Sequence, residues 1–382
     1  MSSPRPAPAG TGPRVPFLRP SVVRKEAYLQ YLAAIDDARW YSNYGPLNTE
    51  FERRVRERWF QGRGAVTTVC NATIGLMLAI AESRRPGARY AVMPSFTFAA
   101  TPLAAMWCGL TPYFVDVRPG DWCPDETQVA RLVDELGSEL AVVVPYATFG
   151  TALDLAPYAR LVERGVPVVV DAAPGFGTRH LGRYYGDGFP GTVVFSLHAT
   201  KAFGIGEGGL VYSADPARIA RVRQAANFGF SDAREALGQG LNGKLPELGA
   251  AVALATLDDY PAKTATRRRI DGWYRQLFAE HGLLARGFAL QQTVGEVPTQ
   301  FLSAVCPPGR PRAEILGGLA AGGIECRTYF SPACHEQAAF RQAPRQPLPL
   351  TEDLAPRILS LPLWEEMTEA DVSDVVRELA RA

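Results

Sequence analysis

Short apolar runs of strand length alternate with amphipathic stretches through the first half of the chain. Ala65–Val69, Tyr90–Met93, Pro112–Val115 and Leu140–Pro145 read as strands. Between them Thr73–Ser83, Ala99–Cys108 and Glu126–Leu136 carry apolar residues at helical spacing. Two more apolar runs follow, Val166–Val170 and the segment leading into Ser196. Such alternation predicts an α/β fold with a mostly parallel central sheet covered on both faces. Ahead of it, Lys25–Arg39 and Leu47–Phe60 read as helices on either side of a turn at Asn43-Tyr44-Gly45-Pro46.

The character of the chain changes near Leu257-Asp-Asp-Tyr260. Helical segments over Ala250–Phe278 link the large domain to a smaller one, with a kink or break expected at Pro261. Strand-like Phe301–Cys306, helical Arg312–Ala321 and a closing helix Glu369–Arg381 make the second unit a smaller C-terminal α/β domain. The expected division is a flexible arm over 1–20, a large domain over 21–255 and a small domain over 256–382. No internal repeat is evident.

Composition narrows the class. A chain of 382 residues with a net charge of +1 carries no electrostatic footprint for nucleic acid or an anionic membrane. Its apolar runs fall far short of the roughly 20 residues that a spanning helix needs. Met1–Pro16 is rich in Pro, Ser, Ala and Gly and shows no signal-peptide core. The six cysteines show no Cys-x-x-Cys spacing. Cys326, Cys334 and His335 lack a fourth ligand, so no metal is expected and reduced thiols in a cytoplasmic protein are the simpler reading.

Candidate chemistry sits where the strands end. Val166–Val170 runs into Asp171, and Ser196-Leu-His-Ala-Thr-Lys201 follows the next apolar run. A lysine and an aspartate at the exits of two buried strands are what pyridoxal 5'-phosphate (PLP) needs. The amine holds the aldehyde as a Schiff base, and the carboxylate keeps the pyridine nitrogen protonated. With only four lysines in the chain (Lys25, Lys201, Lys244 and Lys263), the choice is narrow. Ligands of parallel sheets gather at the carboxyl ends of strands, which supports placing Asp171 and Lys201 in one site.

Several ordered motifs carry a resemblance. Tyr44-Gly-Pro-Leu-Asn-Thr-Glu-Phe-Glu52, Cys-Asn-Ala-Thr73, Pro-Ser-Phe-Thr-Phe-Ala-Ala-Thr101 and Phe114-Val-Asp-Val117 recur in order. Asp-Ala-Ala173, Ser196–Lys201, Gly-Glu-Gly-Gly209, Asn227-Phe-Gly and Gly240-Leu-Asn-Gly-Lys-Leu245 follow. Over about residues 16–380 the chain resembles the DegT/DnrJ/EryC1/StrS family of PLP-dependent sugar aminotransferases. The resemblance implies the fold type I architecture of PLP-dependent transferases and a homodimer with shared active sites. It also implies transfer of an amino group from an amino acid, L-glutamate, to a keto sugar linked to a nucleotide.

By the same resemblance, Lys201 is the Schiff-base lysine and Asp171 the partner of the pyridine nitrogen. Ala72, Thr73 and Ser196 would hold the phosphate, with Asn242 reaching it from the second subunit, and Phe98 would stack on the ring. A bland alternative is that Asn71 or Thr73 only caps a helix. Tyr44, Phe228, Arg327 and Tyr329 fall in the family's usual neighbourhood for the sugar and nucleotide; Arg327 suits a diphosphate. The family usually has Gln or His after Asp-Ala-Ala, hydrogen-bonded to the cofactor's ring hydroxyl. Here the position is Pro174, and a water, His198 or His180 would have to substitute. The segments Asn43–Pro46 and Asn227–Gly229 lean towards a 4-keto-6-deoxy sugar over a 3-keto sugar. The rival acceptor is a keto-cyclitol or another ketone without a nucleotide. Dehydration on this scaffold would use histidine in place of Lys201; a non-catalytic PLP-binding regulator is disfavoured because Lys201 and Asp171 are both intact and no DNA-binding or membrane segment is evident.

Overall fold

In a computed structural model of the chain, residues 12–382 are described. Two helices, α1 (Lys25–Ala38) and α2 (Pro46–Phe60), precede strand β1 (Ala65–Val69) and helix α3 (Ala72–Ser83). Alternation then continues through β2 (Tyr90–Pro94), α4 (Ala100–Trp107), β3 (Thr111–Val115), α5 (Glu126–Leu136), β4 (Leu140–Val143), α6 (Ala156–Glu163) and β5 (Val169–Asp171). A small hairpin, β6 (Arg179–His180) and β7 (Arg183–Tyr184), leads to β8 (Thr192–Ser196), β9 (Gly209–Ser213) and α7 (Pro216–Ala225).

The strands β1-β9-β8-β5 form one ladder and β3-β2-β4 another. Parallel bridges Val143↔Val168 and Tyr146↔Asp171 join them into a continuous sheet. Strand β9 runs antiparallel to both β1 and β8, while β2, β3, β4, β5 and β8 pair in parallel. All residues of β4, β5, β8 and β9 are buried, as strands covered by helices on both faces must be. The sheet is thus the α/β sheet expected, parallel apart from β9.

Helix α8 (Glu247–Glu280) runs through Pro261 without the break that was one of the two expected outcomes. Proline at this position has no amide to offer to the carbonyl of Leu257, four residues earlier. The guanidinium of Arg58 on α2 makes a long 3.5 Å contact with that carbonyl, and α2 and α1 pack alongside α8. Tertiary packing therefore carries the helix past its local breaker. Beyond it lie β10 (Ala289–Leu290), β11 (Leu302–Val305), α9 (Arg312–Ala321), α10 (Pro349–Leu354), β12 (Ile358–Leu361) and α11 (Glu369–Arg381). The antiparallel sheet β10-β11-β12 has its own core, in which Ile270, Tyr274 and Phe278 of α8 meet Val372, Val375 and Val376 of α11.

The expected flexible arm over 1–20 needs correction where it is described; residues 1–11 lie outside the described part. Val15 pairs in parallel with Ile324, and the indole of Trp364 donates to the carbonyl of Pro16 at 3.0 Å. Phe17 is 1% exposed and sits against Phe301 and Tyr329, with ring centroids 5.8 and 5.9 Å away. An apolar pair in a Pro-rich stretch was enough to dock it. Phe17→Ala is expected to cost about 3–5 kcal/mol of stability in urea unfolding, the range for truncating a buried aromatic. A loss below about 1 kcal/mol would mean that the segment does not pack as described.

Candidate functional site

Strands β5 and β8 are paired in parallel, with Asp171 opposite Val194, so both chains leave the sheet at the same edge. Asp171 ends β5 and is 2% exposed. Its Oδ2 accepts a 2.6 Å bond from the hydroxyl of Thr101 at the start of α4, and its Oδ1 accepts from the Ala173 amide at 3.0 Å. Burial raises the carboxyl's pKa, while Thr101, the Ala173 amide and the charge of Lys201 pull it back down. Asp171 enters no ion pair among the described residues, which leaves a buried carboxylate short of a cation.

Lys201 follows β8 in a tightly bonded turn. The amides of Ala199 and Lys201 donate to the carbonyls of Gly206 and His198 at 2.7 and 2.8 Å. Gly206 holds φ at +105°, a conformation that disfavours any side chain. At Gly209 a Cβ would fall 2.8 Å from the backbone nitrogen of Ala72, so the turn can press on the start of α3 only because glycine stands there. The run Gly206–Gly209 is a backbone turn of this kind and not a dinucleotide loop. Desolvation lowers the Lys201 amine from its ordinary 10.5 to about 8, with Asp171 opposing the shift. Its Nζ donates to Oε1 of Gln300 at 3.2 Å.

These groups line a cavity of about 590 Å³. Ala72 and Thr73 enter it at the positive end of α3, where Asn71 caps the helix by accepting from the Ile74 amide at 2.9 Å. Capping by Asn71 and a cavity-facing helix start therefore coexist. Ser196 ends β8 beside them, and Phe98, 57% exposed, borders the opening. Tyr329 also lines the cavity, with Phe149, Phe301 and Phe330 forming an apolar wall.

Of the residues singled out from sequence, the structure gathers Ala72, Thr73, Phe98, Asp171, Ser196, Lys201 and Tyr329 around this cavity. It does not bring Tyr44, Phe228, Arg327 or Asn242 there. Tyr44 lies under the Arg223 guanidinium, 3.6 Å from its ring centroid, beside the buried Glu52. Arg327 is paired with Glu325 at 2.6 Å. Phe228 packs under the Lys244 ammonium at 4.6 Å, and Asn242 bridges Asn227. Of the two histidines weighed against Pro174, His198 lines the cavity and His180 sits exposed in the β6–β7 hairpin. Sequence reading assigned no role to Thr101, visible only as the last residue of its motif, or to Gln300, which no local signal marks.

The donor set fits PLP. The start of the 12-residue helix α3, together with Ser196, suits a phosphate. The unpaired Asp171 suits a protonated ring nitrogen, and a lysine that gives up its proton near pH 8 suits an aldehyde. Without cofactor, that depressed amine has a consequence for stability. Between about pH 8, where the folded amine loses its proton, and 10.5, where the unfolded one does, the unfolded chain binds more protons. Stability contributed by this group therefore rises with pH across that window. Cofactor-free Lys201→Met is expected to melt higher than wild type at pH 7, with the gap shrinking by pH 10; a gap that does not depend on pH would contradict the shift.

The same fold recurs in known proteins. A solved structure of a candidate PLP-dependent aminotransferase from Bacillus cereus is 48% identical, with a TM-score of 0.94 over 96% of this chain and 99% of its own. DesI, solved in the presence of its TDP-sugar product, is 34% identical, with a TM-score of 0.83 over 95% of this chain and 91% of its own. The dTDP-4-amino-4,6-dideoxy-D-glucose transaminase of Escherichia coli is 26% identical over 381 residues, 96% of this chain and 98% of its own. A profile of the DegT/DnrJ/EryC1/StrS aminotransferase family matches residues 23–380, and the chain belongs to that family of PLP-dependent enzymes.

Proposed function

We propose that this protein takes the amino group of L-glutamate and places it on a keto sugar carried by a nucleoside diphosphate, at C4 of a 6-deoxy sugar. The observation that carries the reading is the placement of Lys201 in one cavity with the buried Asp171 at the carboxyl edge of the sheet, where desolvation lowers the amine to about 8. The TDP-sugar bound by DesI and the product named for the Escherichia coli relative support the acceptor class. An apolar wall of Phe149, Phe301 and Phe330 suits the methyl group that distinguishes a 6-deoxy sugar.

When bound, PLP supplies the electron sink for the pair released as the donor's Cα–H bond breaks. Lys201 is the base that takes that proton and later returns it, and a titration point near 8 leaves a usable neutral fraction at physiological pH. Asp171 holds a proton on the ring nitrogen, with Thr101 and the Ala173 amide keeping the carboxylate charged and oriented. Ala72, Thr73 and Ser196 bind the phosphate, and Phe98 covers one face of the ring. Tyr329 orients the sugar. Arg327, two residues away, exchanges Glu325 for the diphosphate.

The working unit is a homodimer. Met106 and Trp107 at the end of α4 are 43% and 73% exposed in the single chain, apolar surface that a second copy would cover. Asn242, Phe228 and Tyr44 then serve the partner's cavity. All six cysteines are free, which supports a cytoplasmic setting.

Addition of L-glutamate to the PLP-loaded protein is expected to remove the visible absorbance and release 2-oxoglutarate. A dTDP-4-keto-6-deoxyhexose should restore the band, with parallel double-reciprocal plots for the two substrates. Amination of a keto-cyclitol but of no nucleotide sugar would overturn the acceptor assignment. Lys201→Ala is expected to lower turnover by at least about 10²–10⁴-fold. Asp171→Asn should lower it by about 10–100-fold, the worth of one charge-assisted hydrogen bond. Retention of near-wild-type turnover by either variant would remove that residue from the machinery.

A further inference from the structure

The position after Asp-Ala-Ala173 is Pro174, which offers no side-chain donor, and its carbonyl is turned towards Gly150, where an added Cβ would meet that oxygen at 2.8 Å. Something else must meet the ring hydroxyl of the cofactor, which sits on the carbon next to the one bearing the aldehyde. The ring hydroxyl and the nitrogen joined to the aldehyde carbon would lie on one edge of the cofactor, which makes a side chain already bonded to the lysine nitrogen the first candidate for that hydroxyl. Among the described residues one side chain hydrogen-bonds the Lys201 amine, and it is Gln300.

Resting on the PLP reading above, we propose that Gln300 donates its side-chain amide to the cofactor's ring oxygen and sets the protonation of the cofactor–lysine linkage. Gln300 lines the cavity yet is only 8% exposed. Its backbone is pinned: Arg267 of α8 donates to the carbonyls of Thr299 and Gln300 at 3.0 and 3.3 Å, and Glu365 holds that guanidinium at 2.8 Å. Phe301, the next residue, stands in the apolar wall. The side chain is therefore delivered from the C-terminal unit on a fixed stem.

In the free enzyme the amide oxygen accepts from the Lys201 amine. Condensation of the amine with an aldehyde releases water and leaves the nitrogen with a single proton or none. The neighbouring ring oxygen competes for that proton, so the Gln300 oxygen loses its donor. A half-turn about the last torsion exchanges the amide oxygen for the NH₂ group, which can then donate to the ring oxygen. That bond stabilises the oxygen as an anion and weakens its hold on the shared proton. His198 is poorly placed to do the same, because its Nδ1 is tied to the Thr200 hydroxyl at 2.9 Å and its Nε2 faces Glu207 at 3.6 Å.

The test is a pH titration of the visible absorbance of the PLP-loaded protein, comparing wild type with Gln300→Met, Gln300→Asn and His198→Ala. Gln300→Met removes the donor at similar volume and should raise the apparent pKa of the bound chromophore by about 0.5–1 unit, with cofactor stoichiometry unchanged. Gln300→Asn keeps an amide that is one methylene too short and should shift it in the same direction, so either variant that folds gives the answer. His198→Ala should leave it in place. An unshifted or lowered pKa in the Gln300 variants, or a shift in His198→Ala alone, overturns the proposal while the aminotransferase reading stands. Wild-type protein that takes up no PLP would overturn both.

Discussion

Two charged groups taken out of water within one cavity set the terms for the rest of this structure. A buried carboxylate and a desolvated amine are each costly alone, and each loses part of its charge preference when desolvated. Asp171 is pushed towards protonation and Lys201 towards neutrality. In the proposed assignment, a cofactor with a cationic ring nitrogen for the one and an aldehyde for the other would relieve both in one binding event.

What brings the two groups together is the parallel pairing of β5 with β8, which sends both exits to one edge. The start of α3 reaches the same edge by a different route, through the glycine contact between β9 and Ala72. Thr101 from α4 then fixes the carboxylate. Strand ends and helix starts supply Asp171, Ser196, Ala72 and Thr101, and Lys201 sits in the hydrogen-bonded turn that joins β8 to β9. The C-terminal unit adds the remaining wall, with Phe301 meeting Phe149 at 5.1 Å and Phe149 stacking on Phe330 at 5.3 Å.

How much of this was legible in the amino-acid sequence depended on whether the cause was local. Buried strands declare themselves as apolar runs, so the exits carrying Asp171 and Lys201 could be found, although the run over Val166–Val170 yields only the short strand Val169–Asp171 with a single bridge at Val168 before it. Pro261 misled because its effect was read from the helix alone, while α1 and α2 packed beside α8 decide the outcome. Val15 and Phe17 looked like part of a polar, Pro-rich tail, and their docking partners lie some three hundred residues away. Gln300 left no trace because its bond to Lys201 spans a separation of 99 residues. The absence of Tyr44, Phe228, Arg327 and Asn242 from the cavity has a similar cause, since a motif marks a stretch of chain while long-range packing decides where its side chains end up.

The claim on which all of this rests is that Lys201 is the residue that carries the cofactor. Borohydride reduction of the PLP-loaded protein followed by peptide mass analysis tests it directly. The expected result is a single pyridoxyl group on the peptide that contains Lys201, with Lys25, Lys244 and Lys263 unmodified. A label on one of those lysines, or loaded protein with no labelled lysine, would contradict the account.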